Sequence, residues 1–528
     1  MNTRQMQAML DQNRELRQYL FPRGYLLTDD PRLDENAYPF YGCWKSVCVG
    51  KYRFFVHPKQ RIFLAQEENT VFVLVGHAYD PVSEDGAWEE EQLLKTALTL
   101  YRRDEAEFTR YFNGWTGVFA LFLIDENSLR AYNDAAGIYT LYYGCWEDHL
   151  YCASHTNLLG DVCGLEQDPY IQKLASYRFY HLLGISLPGD LSPYSRFRRL
   201  IPNHYASYDG VWQPVRFFPT REEGLADGAY DSLMEEAAGI LSRSMEMIPK
   251  KWDTPAISLT GGCDSKTTLA CANGNYGRYR YFSYRSSESE AVDAAAAEKI
   301  CKALGLEHRV YTISNRDEDY PYTEQFRSLM EYNTGSIGGH NPNDVRKRAF
   351  FRDVEDFDVE VKSWVSEIGR GYYHKRFAKK HFPKKPTPRY LTTLYKVFLT
   401  NRKLVRQTDR VFAEYLQKYY DGGEFGIIDW KDLIFWEFRM SSWNGTVITG
   451  EHHISYDITI PYNNRRLLQL LLSTPMEKRV ADEPHRTIME KMNPEIARCG
   501  ISVVNLKHTK KRAMLERLYL EIASRLPF

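Results

Sequence analysis

The sequence predicts an α/β protein: an N-terminal α+β sandwich of antiparallel sheets, then a doubly wound parallel sheet with many helices. Three observations predict it. Residues 1 to about 215 carry short β runs at regular spacing with turn residues between them. Residues 257–312 alternate β and α, the pattern of a parallel sheet that binds ligands at the carboxyl ends of its strands. The first strand and helix of that alternation are joined by Thr260-Gly261-Gly262-Cys263-Asp264-Ser265.

In order, residues 71–75 (VFVLV) read as a strand, residues 88–103 and 105–112 as helices, and 118–124 (VFALFLI) as a strand closed by the turn Asp125-Glu126-Asn127. Strands follow at 128–132, 139–143 and 149–153. The polar segment 219–224 reads as a linker, which sets domains at 1–218 and 225–528. Beyond it come a helix at 230–247, a strand at 257–259, a helix from Lys266 to Asn273, a strand at 279–284, a helix at 290–304 and a strand at 308–312. From about Tyr322 the pattern is mostly helical. The basic stretch 374–389, with prolines at 383, 386 and 388, reads as a mobile loop.

The glycine turn is where chemistry is expected. A buried strand, a small-residue turn and a helix N-terminus direct free backbone N–H groups at a ligand, and the helix dipole favours an anion. Adjacent glycines let a phosphate approach the backbone. Thr260 and Ser265 add hydroxyls, and Asp264 can hold Mg²⁺ on the phosphates. The spacing is neither G-x-x-x-x-G-K-[ST] nor G-x-G-x-x-G. It resembles the S-G-G-x-D-S loop of the PP-loop ATP pyrophosphatases, with Thr260 in place of the first Ser.

Composition narrows the class. The net charge of −1 argues against a chain that coats nucleic acid. Nine cysteines with no C-x-x-C suit a reducing compartment and argue against a zinc ribbon. His452 and His453 lack metal partners at ligand spacing. The first residues carry no apolar h-region, and no run of about 18 apolar residues occurs, so a cytoplasmic protein is expected.

Both halves, in this order, resemble the asparagine synthetase family. Leu74–Asp80 (LVGHAYD) sits at its N-G-E-I-Y-N strand. Gly114-Trp115-Thr116-Gly117-Val118-Phe119-Ala120, Asp125, Asn133-Asp134, Gly137 and Leu141-Tyr142-Tyr143 follow its glutaminase-domain signature, and Ala153-Ser154 and Ile201-Pro202-Asn203-His204 fall at later stations. In the second half the PP-loop matches, with Glu290, Ala297 and Gly305 after it. Ser366-Glu367-Ile368-Gly369-Arg370-Gly371-Tyr372-Tyr373 falls at S-G-E-G-x-D-E, and Ile460-Pro461-Tyr462-Asn463-Asn464 at v-P-F-L-D. The resemblance implies an Ntn-hydrolase-like first domain and a PP-loop synthetase second domain.

The departures set the expected activity. Glutamine-hydrolysing members expose a cysteine after Met removal, whereas residue 2 here is Asn2, and Gly76-His77-Ala78 replaces the glutamine-binding Asn-Gly-Glu. The chain is therefore similar to the glutaminase-deficient β-lactam synthetases and lasso-peptide cyclases. The resemblance implies an ATP-dependent ligase that adenylates a carboxylate, releases pyrophosphate and joins the acyl group to an amine other than glutamine-derived ammonia. It places ATP on Ser258, Leu259, Thr260, Gly261, Gly262, Asp264, Ser265 and Ser283, and Mg²⁺ on Asp264. Glu367 would take the amine's proton, and Lys507, with Lys510 as the second choice, would offset charge on the phosphates. Arg370 stands where the family pattern has a metal-holding Asp; its guanidinium suits phosphate or a carboxylate. The partners expected are small-molecule or peptide carboxylate and amine substrates, with a homodimer left open. The alternative is a non-catalytic or ATP-binding protein on a degenerate fold of this kind.

Overall fold

A computed structural model describes residues 1–126, 128–180, 186–397, 400–499 and 510–526. The chain is mixed α/β, with two six-stranded antiparallel sheets and one five-stranded parallel sheet. The strands are β1 (Tyr25–Thr28), β2 (Lys45–Val49), β3 (Tyr52–Val56), β4 (Ile62–Glu67), β5 (Thr70–Tyr79), β6 (Thr116–Ile124), β7 (Leu129–Asn133), β8 (Tyr142–Trp146), β9 (His149–Ala153), β10 (Phe197–Arg199), β11 (His204–Tyr208) and β12 (Trp212–Arg216). The second half adds β13 (Pro255–Ser258), β14 (Arg280–Arg285), β15 (His308–Thr312), β16 (Val359–Val361) and β17 (Asp457–Thr459).

The first sheet runs β10-β8-β9-β1-β3-β2 and the second β12-β11-β7-β6-β5-β4. Their layering follows from the two-residue period of a strand. Tyr25, Leu27, Phe54 and Val56 point inward to the second sheet, where Phe122 lies 5.7 Å from the Tyr25 ring and 5.4 Å from Phe54. Their neighbours Leu26 and Phe55 point outward and pack under the helices Thr3–Gln12 and Thr156–Cys163 through Met6, Leu10, Leu158 and Leu159. On the far side, Phe72 meets Tyr101 and Phe108 of the helices Glu90–Arg103 and Glu105–Asn113. The result is a helix–sheet–sheet–helix stack.

The third sheet runs β15-β14-β13-β16-β17, every pair parallel. In chain order that is 3-2-1-4-5. The strand order reverses between β13 and β16, and a doubly wound sheet opens its ligand crevice at the carboxyl ends of such a pair.

The halves share one core. Phe112, Trp115, Phe217, Leu467 and Leu468 belong to a single buried cluster. Its polar seam is ordered: Asn463 donates to the Gly117 carbonyl (2.6 Å) and accepts from the Ala136 amide (2.8 Å), and Asn464 donates to the Gly114 carbonyl (2.6 Å). Buried Glu437 accepts from Arg216, Asn203 and Tyr420. Among the described residues, no helix is long and apolar enough to cross a membrane.

Several sequence expectations shift. The run 139–143 becomes a strand only from Tyr142, because residues 134–141 wrap the Asp134 carboxylate, which accepts from the Ile138 and Tyr139 amides at 2.8 Å each. The helix after the glycine turn starts at Cys263, three residues before Lys266, since extended Gly262 already serves as its N-cap. The stretch 374–389 is not a free loop. It begins in the helix Tyr372–Phe377 and ends in the helix Pro388–Leu394, which Thr387 caps. Between these, Lys379 pairs with Glu521 and the Pro383 carbonyl accepts from Trp430. Asn127 lies outside the described residues.

Candidate functional site

The site is built on the loops that follow β13 and β16, the two strands flanking the reversal. The Leu259 amide still donates to the Phe282 carbonyl of β14 (2.8 Å), so the chain leaves the sheet only at Thr260. Ser265 braces the turn: its hydroxyl accepts from the Thr260 amide (3.2 Å) and donates to the Thr260 carbonyl (3.0 Å). The Gly262 amide donates to Thr260 Oγ1 (3.1 Å), and the Gly261 amide to Asp293 Oδ1 (3.2 Å). No side chain caps the helix Cys263–Cys271. Its first-turn amides have no intrahelical partner by construction, which makes the turn an anion cradle.

The loop after β16 reaches across to this turn. Val365 (φ +77°) and Gly371 (φ +60°) both adopt the left-handed region and bracket the short turn Ser366–Arg370. A β-branched residue in that region is strained, and such strain persists where surrounding structure enforces it. Here it aims two side chains back at Asp264. Ser366 donates to Asp264 Oδ1 and Arg370 to Asp264 Oδ2. Arg370 Nε also donates to Asp482 Oδ1 (2.7 Å), which Lys375 of the following helix contacts as well.

The electrostatics follow from that packing. Burial pushes Asp482 up, but hydrogen bonds and charge from Arg370 and Lys375 override it and hold the group at about 2. Burial raises Glu367 to about 7, with the Asp264 charge adding to the effect. Glu367 Oε2 is buried with no hydrogen-bond partner among the described residues. His485, from the helix Glu483–Met492, is buried and pushed down to about 4 by desolvation. Its Nε2 lies 3.6 Å from Asp264 Oδ1, and among the described residues neither ring nitrogen has a hydrogen-bond partner.

The residues singled out from sequence thus fall into three groups. Thr260, Gly261, Gly262, Asp264, Ser265, Glu367 and Arg370 converge on one crevice. Ser258 and Ser283 turn into the sheet: Ser258 supports buried Glu360, and the Ser283 hydroxyl donates to the Leu259 carbonyl (2.6 Å) and meets His308 (2.9 Å). Lys507 lies outside the described residues, and Lys510 opens the last helix, Lys510–Ala523. Lys375, Asp482, His485 and Asp293 were not singled out. No pattern marks them: they come from three separate helices, and only folding collects them.

A magnesium ion held by the protein does not fit this arrangement. Mg²⁺ sites use one or two free carboxylates. Here Asp264 and Asp482 are both engaged by cations, and a dication at either would sit against Arg370 and Lys375. Among the described residues, no cluster of three His, Cys, Asp or Glu side chains could hold a metal.

Elsewhere, Asn2 accepts from the Gln5 amide and its own amide donates to Gln5 Oε1, a reciprocal cap on the first helix. His77 is buried against Trp252, ring centroids 4.7 Å apart.

No protein-family model matches the sequence. No curated protein is similar to it. Among solved structures, the chain is similar to the glutamine-dependent NAD+ synthetase from Acinetobacter baumannii in complex with ADP, with 17% identity and a TM-score of 0.17 over 28% of this chain and 26% of that one. The glutamine PRPP amidotransferase from B. subtilis complexed with ADP and GMP gives 12% identity and 0.22 over 70% and 75%. The allosteric regulatory enzyme of purine biosynthesis gives 11% and 0.24 over 62% and 75%. The chain spans about a quarter of the first of these, and likenesses this faint decide nothing about its chemistry.

Proposed function

We propose that this protein is an ATP-dependent ligase of the asparagine synthetase kind that forms an amide without hydrolysing glutamine. One observation carries the reading. The Thr-Gly-Gly-Cys-Asp-Ser turn and the Glu367–Arg370 turn follow the two strands at which the parallel sheet reverses, and they meet there. The ordered motifs shared with that family, and an Ntn-like first half with domains near 1–218 and 225–528, accord with it.

In this reading the polyphosphate of ATP lies on the glycine turn and the amides of the Cys263–Cys271 helix. A substrate carboxylate oxygen attacks the α-phosphorus. The bond from that phosphorus to the bridging oxygen breaks, and pyrophosphate leaves with its electrons. The amine nitrogen then attacks the acyl carbon, and AMP departs with the acyl C–O bond. Glu367 accepts the proton the amine loses, a role suited to a carboxyl held near neutrality. Arg370 faces the leaving phosphates, where positive charge counts most. Lys507 is assigned the same task from the family resemblance. Glutamine plays no part, because Asn2 carries no nucleophile and serves as a helix cap.

Incubation with ATP and pooled small or peptidic carboxylates and amines tests the reading. AMP and pyrophosphate are the expected products, and ADP with phosphate would refute it. One observation favours the alternative of a non-catalytic protein: Arg370 and Asp293 occupy the carboxylate and one amide of the turn. Calorimetric ATP binding with no AMP formed across the substrate pool would select that alternative.

A further inference from the structure

We infer that the terminal phosphates are received by Arg370 and Lys375 in place of a metal ion held by the protein. This rests on the ligase reading and concerns how its leaving group is bound.

The two cations and the carboxylates of Asp264 and Asp482 form a line of alternating charge beside the glycine turn. Arg370 bridges Asp264 and Asp482, and Lys375 adds a second cation on Asp482. The line is neutral, and both cations come from one segment, Ser366 to Phe377. A guanidinium can exchange a carboxylate for phosphate oxygens without loss of hydrogen-bond geometry, because its fork matches either anion. Asp482 can remain on Arg370 Nε while the NH1 edge turns to the ligand.

The exchange requires that Asp264 not be stranded, since an unpaired carboxylate in a crevice is costly. His485 meets that requirement. Its side chain is 1% exposed, its Nε2 is 3.6 Å from Asp264 Oδ1, and neither nitrogen is hydrogen-bonded among the described residues. Once Arg370 departs, Asp264 keeps Ser366 and gains His485 as a donor. An idle buried donor beside a carboxylate that already has partners is what such a two-position arrangement needs. A dication at Asp264 would instead have to expel Arg370 and then stand beside it and Lys375.

Titration calorimetry of the full chain with inorganic pyrophosphate in EDTA tests this. Binding without any divalent cation is expected. Arg370→Gln and Lys375→Gln should each weaken it about tenfold or more, the worth of a charge-assisted contact. Asp264→Asn should tighten it, by releasing Arg370. The pair Asp264→Asn with Arg370→Gln leaves no buried charge unpaired, so it should fold and fail to bind. Pyrophosphate binding that appears only with Mg²⁺, or that Asp264→Asn abolishes, would overturn the inference; ATP binding with Mg²⁺ in the same samples would leave the ligase reading standing. If neither ATP nor pyrophosphate binds with or without Mg²⁺, both fall.

Discussion

At the scale of single residues, Glu367 has opposite effects on activity and stability. Its carboxyl is raised from about 4.5 to about 7 by burial and by Asp264. Between those values the folded chain keeps a proton that the unfolded chain gives up, so this group makes stability fall as pH rises through that window. Glu367→Gln removes the fall. The variant should match the parent at pH 4 and exceed it at pH 8 by about 3 kcal/mol in urea unfolding. Amide formation should behave oppositely: it needs the carboxylate, so the parent's turnover should climb with pH to a plateau above about 7, and the Gln variant should bind ATP but form little product. A variant no more stable at pH 8, or one of full activity, would remove Glu367 from this role. Asn2 makes a second residue-scale case. Glutamate released from glutamine at an enzymatic rate, after all nine cysteines are replaced, would contradict the proposal that glutamine plays no part.

At the scale of elements, the segment Ile460–Leu472 holds the halves in register. Asn463 and Asn464 bond to backbone groups of the 114–136 region, while Asn464 also caps the helix Arg465–Leu472 by accepting from the Leu467 amide (2.8 Å). Arg465 is buried between the rings of Phe112 and Phe217 and donates to Asn203 and to the carbonyls of Asn133 and Asp134. Asn463→Ala would take its donor from the Gly117 carbonyl and leave the Ala136 amide only its longer bond to Asp134 Oδ1 (3.3 Å). It should cost roughly 1–3 kcal/mol for a buried group left unsatisfied. Asn464→Ala should cost a similar amount, since it also loses a cap. Denaturant unfolding measures both, and a change below about 0.5 kcal/mol, the scale of an ordinary surface substitution, would show that the seam is not stabilising.

At the scale of the whole molecule, the shared core implies joint unfolding. One apolar cluster runs from the antiparallel sheets through Phe112 and Phe217 to Leu467 and Leu468, and buried Glu437 ties Arg216 to the helical region. Separating the halves would expose this apolar surface to water and break the bonds of Glu437 to Arg216 and Asn203. Scanning calorimetry should therefore show one transition, and a fragment of residues 225–528 should fail to fold cooperatively. Two resolved transitions would show that the seam is a weak contact.

Much of this was written locally in the chain. The strand–glycine–helix unit after Ile257, the β-α alternation to 312 and the strands read at 71–75 and 118–124 are legible because hydrophobic period and turn chemistry act over a few residues. The sequence by itself thus determined that an anion cradle ends a strand of a parallel sheet, and that residue 2 offers no nucleophile. Short strands such as Val359–Val361 and Asp457–Thr459 left no periodic signal, because three residues hold barely one strand alternation and less than one helical turn. Only the tertiary structure decided that Arg370 closes on Asp264, that Ser283 turns inward, and that Lys375, Asp482 and His485 complete the crevice. These are contacts between groups about 20 to 220 residues apart. Charge pairing and burial at such separations depend on where strands and helices come to rest, which no local pattern encodes.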